Sequence, residues 1–449
     1  MYRKGTGFLA GTAALIALAG CGASGLPQRP SASPSSADRP SASAGASSGS
    51  FATAARSVRP ATVAQLTSGR WSALPRAPIA PRDDASVVWT GRELLVWGGQ
   101  SGSDGSKLHA DGAAYNPRTG RWRTLPAAPL SPRTGQAAAW TGTEMIIWGG
   151  YDRVTASSLQ VTASGAAYDP VTNRWKLLPR APLSPRAQAI AVWTGSALLL
   201  LGGQPAVLTD TVRGYRDGAS FSPALNRWQH IAPPVPPDGH PLTWNTAVMA
   251  GRQLLAWSEW ETSARTGPSS GSSAGGVDMF TYDPGTGRWR LVPAASGMLP
   301  DAEVVLPAGR LVVVRGITYN CGLCPGPFVP EATDLYDPAR NTWARLPADP
   351  LGGDDLVSAW TGAALISLDA GGEYGNVRPG DASAYDVATR RWSRLPAAPF
   401  GCDTQQSAAW TGRELLLYCP RPPTGRGAGH DGLAFTASRR SASAGDGRR

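Results

Sequence analysis

The sequence predicts an all-β ring of repeated four-stranded units, and three observations carry that expectation. A unit of about fifty residues recurs about seven times after residue 70. Each unit contains two hairpin signals separated by a polar segment that differs from unit to unit. The repeated region nowhere shows the 3.6-residue apolar period of an amphipathic helix. Four short strands per unit, repeated along one chain, is the arithmetic of a β-propeller.

Within a unit, the first two strands are short apolar runs such as Gln136 to Trp140 and Glu144 to Trp148, joined by a Thr-Gly pair. The last two are anchored by a Trp: Trp122, Trp175, Trp228, Trp289, Trp343 and Trp392. An aromatic stands seven residues earlier every time, at Tyr115, Tyr168, Phe221, Tyr282, Tyr336 and Tyr385. Five before the Trp is Pro, with Val387 the departure; two before it is Gly or Asn, with Arg390 the departure. Pro presets the first central turn position, and Gly or Asn tolerates the left-handed conformation that closes a bulged hairpin.

The unit resembles a kelch repeat, with an inner strand A, a strand B ending in a Gly pair, a strand C ending in Tyr-Asp-Pro and an outer strand D beginning at Trp. Gly98-Gly99, Gly149-Gly150 and Gly202-Gly203 match the pair; Ser258-Glu259, Arg315-Gly316, Asp369-Ala370 and Cys419-Pro420 depart from it. The ends of the array are complementary. Trp71 opens a strand D (Trp71 to Pro75) with no aromatic before it, whereas Gly432 to Ser438 reads as a strand C with Ala442 where its Trp should be. The expectation is therefore a seven-bladed kelch-type propeller whose last blade combines the N-terminal strand with three C-terminal ones. Such closure leaves no broken blade edge.

Ahead of the propeller, Arg3 and Lys4 precede an apolar run from Phe8 to Leu18, too short for a stable span. Leu18-Ala19-Gly20-Cys21 resembles the bacterial lipobox, which implies a signal peptide over 1–20 and lipidation of Cys21. An ordinary secretory signal is the alternative. Residues 21–65 are rich in Ser, Ala and Pro and read as a disordered tether; 66–438 is the propeller and 439–449 a basic tail. Most of the +10 formal charge lies outside the repeats, on Arg3 and Lys4, on Arg29, Arg39, Arg56 and Arg59, and on Arg439, Arg440, Arg448 and Arg449. The repeats stay near +2, too little for a nucleic-acid footprint.

Export agrees with the cysteines. Cys402 and Cys419 flank one hairpin of blade seven within disulfide reach. Cys321 and Cys324, in the strand B to C segment of blade five, read as a local disulfide, with metal or redox use and free thiols as alternatives. No second ligand pair with metal-site spacing follows them.

Counting eleven residues past each repeat Trp reaches the start of strand A. That register gives Arg82, Arg133 and Arg186 in blades one to three, His240 beside the position in blade four, Asp301 and Glu303 in blade five, and Asp354 and Asp403 in blades six and seven. A rim with guanidinium groups on one side and carboxylates on the other would suit a polar ligand. The competing reading makes these turn residues of the repeat. Trp244 and Trp260 fall outside the repeat pattern and are candidates for stacking on a sugar or for filling loops.

The leading expectation is a monomeric, cofactor-free extracytoplasmic lipoprotein at the cell membrane, binding a protein, peptide or glycan through its variable loop face. The alternative is a carbohydrate enzyme. Resemblance to sialic-acid mutarotases implies acid–base side chains, for which Glu303, Asp354 or His240 could serve. Resemblance to galactose oxidase implies a copper site of His and Tyr; the four His here, His109, His230, His240 and His430, form no Tyr-His pair.

Overall fold

The computed structural model describes residues 60–439, apart from breaks at 103–104, 156–157, 207–213, 237, 263–273, 293–302, 309–310, 317–331, 339, 348, 352–355, 370–379, 400–407 and 420–429. Cys21, the tether before residue 60, Cys321, Cys324, Cys402, Asp301, Asp354 and Asp403 lie outside the described residues.

Each repeat folds by its own hairpin chemistry. The Gly, Asn or Arg two places before the repeat Trp takes a positive φ in all six units, from 48° at Asn226 to 69° at Gly287, Arg390 included. The preceding acidic or amide side chain caps the same turn: Asp169 Oδ1 accepts from the Val171 N–H at 2.7 Å and Asp283 Oδ1 from the Gly285 N–H at 2.8 Å. In the Thr-Gly turn between strands A and B, the Glu93 N–H donates to Thr90 Oγ1 at 2.8 Å while Gly91 sits at φ 85°.

Among the described residues the strands assemble into seven four-stranded antiparallel sheets, six of them contiguous in sequence. The seventh pairs Ala408–Trp410, Glu414–Tyr418 and His430–Thr436 with Arg70–Pro75. Trp71 lies opposite Phe435 in that register, with ring centroids 4.9 Å apart. Two small ribbons, Gln100–Ser101 with Lys107–Leu108 and Tyr151–Thr155 with Ser158–Val161, extend blades one and two beyond the Gly pairs. In blade four, where Ser258-Glu259 departs from the Gly pair, both strands run on, as Gln253–Thr262 and Ala274–Asp283, paired as far as Thr262 and Ala274.

Apolar side chains join each sheet to the next. One cluster sets Val88, Leu95 and Trp97 of blade one against Trp140, Met145 and Tyr168 of blade two. Another unites Val87, Trp89 and Leu94 of blade one with Leu416, Tyr418 and Ala434 of blade seven, so the circuit closes. Each large side chain so buried contributes about 2–3 kcal/mol relative to exposure. The periphery carries a repeated clasp: the Trp indole N–H donates to a carbonyl just past strand D of the preceding blade. Trp175 reaches Pro126 O at 3.0 Å, Trp228 reaches Pro179 O at 2.9 Å, and Trp71 reaches Pro396 O at 2.7 Å.

The folded part begins earlier than residue 66. A short helix, Val63–Thr67, packs Leu66 and the preceding Ala61 against Ala359, Ile366 and Ala384 of blade six.

Candidate functional site

In blades one to three the segment entering strand A pairs with the residue just past the Gly pair: Asp83 with Gln100, Thr134 with Tyr151, and Ala187 with Gln204. The innermost strands Ser86–Trp89, Ala137–Trp140 and Ile190–Trp193 of these blades neighbour one another around the axis. Whatever precedes them therefore sits at one mouth of the central opening.

The three arginines expected on a ligand rim do not line it. Arg82, Arg133 and Arg186 are 1%, 0% and 1% exposed. Each folds back so that Nε donates to the carbonyl two residues earlier, Ala80 O, Ser131 O or Ser184 O. Each then donates through NH1 to the first Gly of its own blade's pair: Gly98 O, Gly149 O or Gly202 O, at 3.3, 3.0 and 2.9 Å. Those glycines hold φ of 71°, 68° and 62°. The conformation turns their carbonyls to the guanidinium, where a side chain would be strained. Asp111 and Asp217 complete two of these locks with ion pairs of 2.7 and 2.8 Å, and Ser164 completes the third.

Blade four replaces the lock with a His240–Asp278 contact of 2.5 Å. His240 is thus the counterpart of the arginines and is held by a carboxylate. Glu303 lies in strand A of blade five opposite Arg315. Trp244 is 8% exposed, stacks on Trp289 at 5.3 Å and donates to Arg216 O, so it fills the interface between blades three and four. The Trp260 side chain lies outside the described residues. Cys419 is buried and disulfide-bonded; its expected partner Cys402 is not among the described residues.

Two residues past each arginine the backbone is left-handed: Asp84 at φ 52°, Gly135 at 61° and Gln188 at 56°. For Asp84 and Gln188 this conformation carries strain, of the kind concentrated at functional sites. Asp84 is fixed by the Gln100 amide, which donates to its Oδ2 at 2.7 Å. Burial, then the adjacent Asp83 charge, push its carboxyl up to about 6. The Gln188 N–H donates to Gly135 O at 2.6 Å, linking blades two and three. A Cβ on Gly135 would lie 3.3 Å from the Tyr151 ring and 3.5 Å from Gln188, so these three groups converge. Asp152 follows Tyr151, and burial leaves its Oδ1 and Thr134 Oγ1 without a hydrogen-bond partner.

The mouth thus presents carboxylates, amides and a phenol, a set suited to hydroxyl-rich ligands and proton transfer. Counting from the Trp reaches this neighbourhood; of the residues it singles out, Arg82, Arg133 and Arg186 are buried, and Asp301, Asp354 and Asp403 lie outside the described residues. The signal for Asp84 was a non-glycine residue where blade two has Gly135. A second constellation, Ser101 Oγ to His109 Nε2 at 2.8 Å with Asp111 3.8 Å from Nδ1, fastens the blade-one ribbon; Asp111 is taken by Arg82. An open recess of about 470 Å³ between Pro179–Pro182 and Asn226–Trp228 lies against outer strands. No metal-binding cluster of three or more His, Cys, Asp or Glu occurs among the described residues.

Comparison with known proteins finds kelch repeats. Residues 48–257 match the KLHDC2/KLHL20/DRC7 Kelch-repeats domain, reaching into strand B of blade four. N-acetylneuraminate epimerase 2 of Escherichia coli O6:H1 is 26% identical over 208 residues, 39% of this chain and 55% of its own length. N-acetylneuraminate epimerase of Escherichia coli strain K12 matches to the same extent. Kelch-like protein terF of Aspergillus terreus is 29% identical over 120 residues, 25% of this chain and 26% of its own. The chain spans about half the length of the epimerases it matches. The solved structure of YjhT superposes with a TM-score of 0.45 at 15% identity, covering 72% of this chain and 100% of that one.

Proposed function

We propose that this chain, an all-β propeller of kelch repeats, acts on a reducing carbohydrate at the mouth of blades one to three, with Asp84 as the proton-transfer group. The reading also makes it an extracytoplasmic lipoprotein anchored through Cys21. Its support is twofold: partial likeness to proteins named N-acetylneuraminate epimerase, and a half-buried, backbone-strained carboxyl in the segment that enters strand A of blade one. The second observation carries the proposal.

Interconverting sugar anomers requires no cofactor. A base takes the proton of the anomeric hydroxyl as the bond between the anomeric carbon and the ring oxygen breaks, and an acid protonates that oxygen. The open-chain carbonyl turns and the steps reverse. Asp84, protonated, supplies the acid, and Asp83 beside it the base; on reclosure the roles exchange. An acid poised near the working pH serves such chemistry well, typically contributing 10²–10⁴-fold.

The test is exchange spectroscopy by NMR on a reducing sugar's two anomers. Wild type should accelerate exchange, and the rate should fall as pH rises through about 6 and Asp84 loses its proton. Asp84→Asn should lose roughly 100-fold or more of the acceleration. No acceleration for any reducing sugar would sink the catalytic reading.

A recognition-only module, binding a protein, peptide or glycan partner, is the second reading. The observation favouring it is that the blade-one and blade-two ribbons on this face differ in length and sequence. Saturable binding without faster anomer exchange would select it.

A further inference from the structure

We infer that the mouth of blades one to three selects neutral or amino sugars and turns away acidic ones. The inference rests on the carbohydrate reading above and specifies its substrate class.

Recognition of a sugar carboxylate calls for an available cation, usually a guanidinium with two free N–H groups. Sequence register places three arginines at this mouth, but their guanidiniums turn into the protein, and only Nη2 of Arg186 has no acceptor there. Arg82 is spent on Ala80 O, Gly98 O and both Asp111 oxygens. Arg133 is spent on Ser131 and Ser164, through both backbone and hydroxyl oxygens, and on Gly149 O. Arg186 donates to Ser184 O, Gly202 O and Asp217, and its guanidinium carbon lies 3.9 Å from the centre of the Tyr215 ring. None is more than 1% exposed, so an incoming anion meets none of their N–H groups.

What remains half-buried at the mouth is Asp83, Asp84, Gln100, Tyr151, Asp152 and Gln188. Three are carboxylates and the others neutral. A ligand carboxylate would lose its hydration to face like charge in a recess of reduced dielectric, whereas an ammonium would gain.

Three probes on the full chain test this by titration calorimetry at pH 7: glucosamine, N-acetylglucosamine and N-acetylneuraminate. The expected order has the first two bound at least about tenfold more tightly than the third, a gap of about 1.4 kcal/mol. The gap should shrink when salt is raised from about 20 to 200 mM, and in Asp152→Asn. N-acetylneuraminate bound as tightly as the others, or more so, would overturn the selectivity while leaving the sugar site intact. Failure of all three to bind would overturn the site itself.

Discussion

Arg133 is the least expected of the buried residues, because every hydrogen-bond acceptor it engages is neutral. Burial lowers its guanidinium to about 10, with Asp152 opposing the fall, so it stays charged at neutral pH. The desolvation is offset by five oxygens placed around one fork. Arg133→Met should therefore leave Gly149 O without a donor and cost about 2–4 kcal/mol in urea unfolding. Sugar affinity of the folded fraction should not change, since the group reaches no solvent. Loss of affinity at full stability would instead restore it to the binding surface. The structural role was legible in the sequence in one respect: the arginine and the Gly pair occur together in blades one to three, and both are lost in blade four, where His240 and Ser258-Glu259 replace them. What register could not convey was depth. It fixes the place of a residue along a strand, but Nε folding back to the carbonyl two residues earlier is a tertiary choice.

At the level of the strand, the clasp between a repeat Trp and the preceding blade turns a row of sheets into a ring. Trp71 makes it across the closure, to Pro396 O at 2.7 Å, and Trp175 makes it within the array, to Pro126 O at 3.0 Å. Replacing either by Phe keeps the ring contact and removes one hydrogen bond, at a cost of about 1 kcal/mol. The two should differ in where the loss appears. Arg70–Pro75 has no covalent neighbour in its own sheet, so Trp71→Phe should speed amide exchange of that strand well before global unfolding. Trp175→Phe should leave the exchange of Arg174–Leu177 governed by unfolding of the whole ring. Equal local loosening in both variants would mean the closing strand is no weaker than the rest. This closure was readable from two incomplete repeats, Trp71 without its aromatic and Phe435 without its Trp. The lengthened strands of blade four were not, because the Gly and Ser content after Ser258 carries turn chemistry rather than strand propensity.

For the molecule as a whole, the short N-terminal helix sets a direction. Five residues cannot hold a helix by propensity alone; Val63–Thr67 persists because Leu66 is fully buried, Thr361 Oγ1 donates to Ala61 O at 2.8 Å, and the Ser438 N–H donates to Gln65 O at 2.9 Å. Its sequence, with a single buried leucine, gave no period to detect, which is why the tether was expected to run on to residue 65. Thr361 belongs to the turn between strands A and B of blade six, and Ser438 follows the final strand C. The chain therefore enters the propeller on the face of the short turns, opposite the face that bears Asp84 and the ribbons. If Cys21 is the anchor, the turn face, where the chain enters the propeller, would average nearer the lipid. A fluorophore at Val171, 91% exposed in a turn between strands C and D, should transfer energy to labelled headgroups more efficiently than one at Lys107 in the blade-one ribbon. The measurement uses lipidated full-length protein in vesicles. Transfer stronger from Lys107 would invert the orientation and turn the sugar mouth toward the membrane. No transfer from either position, with protein absent from the vesicle fraction, would remove the anchor instead.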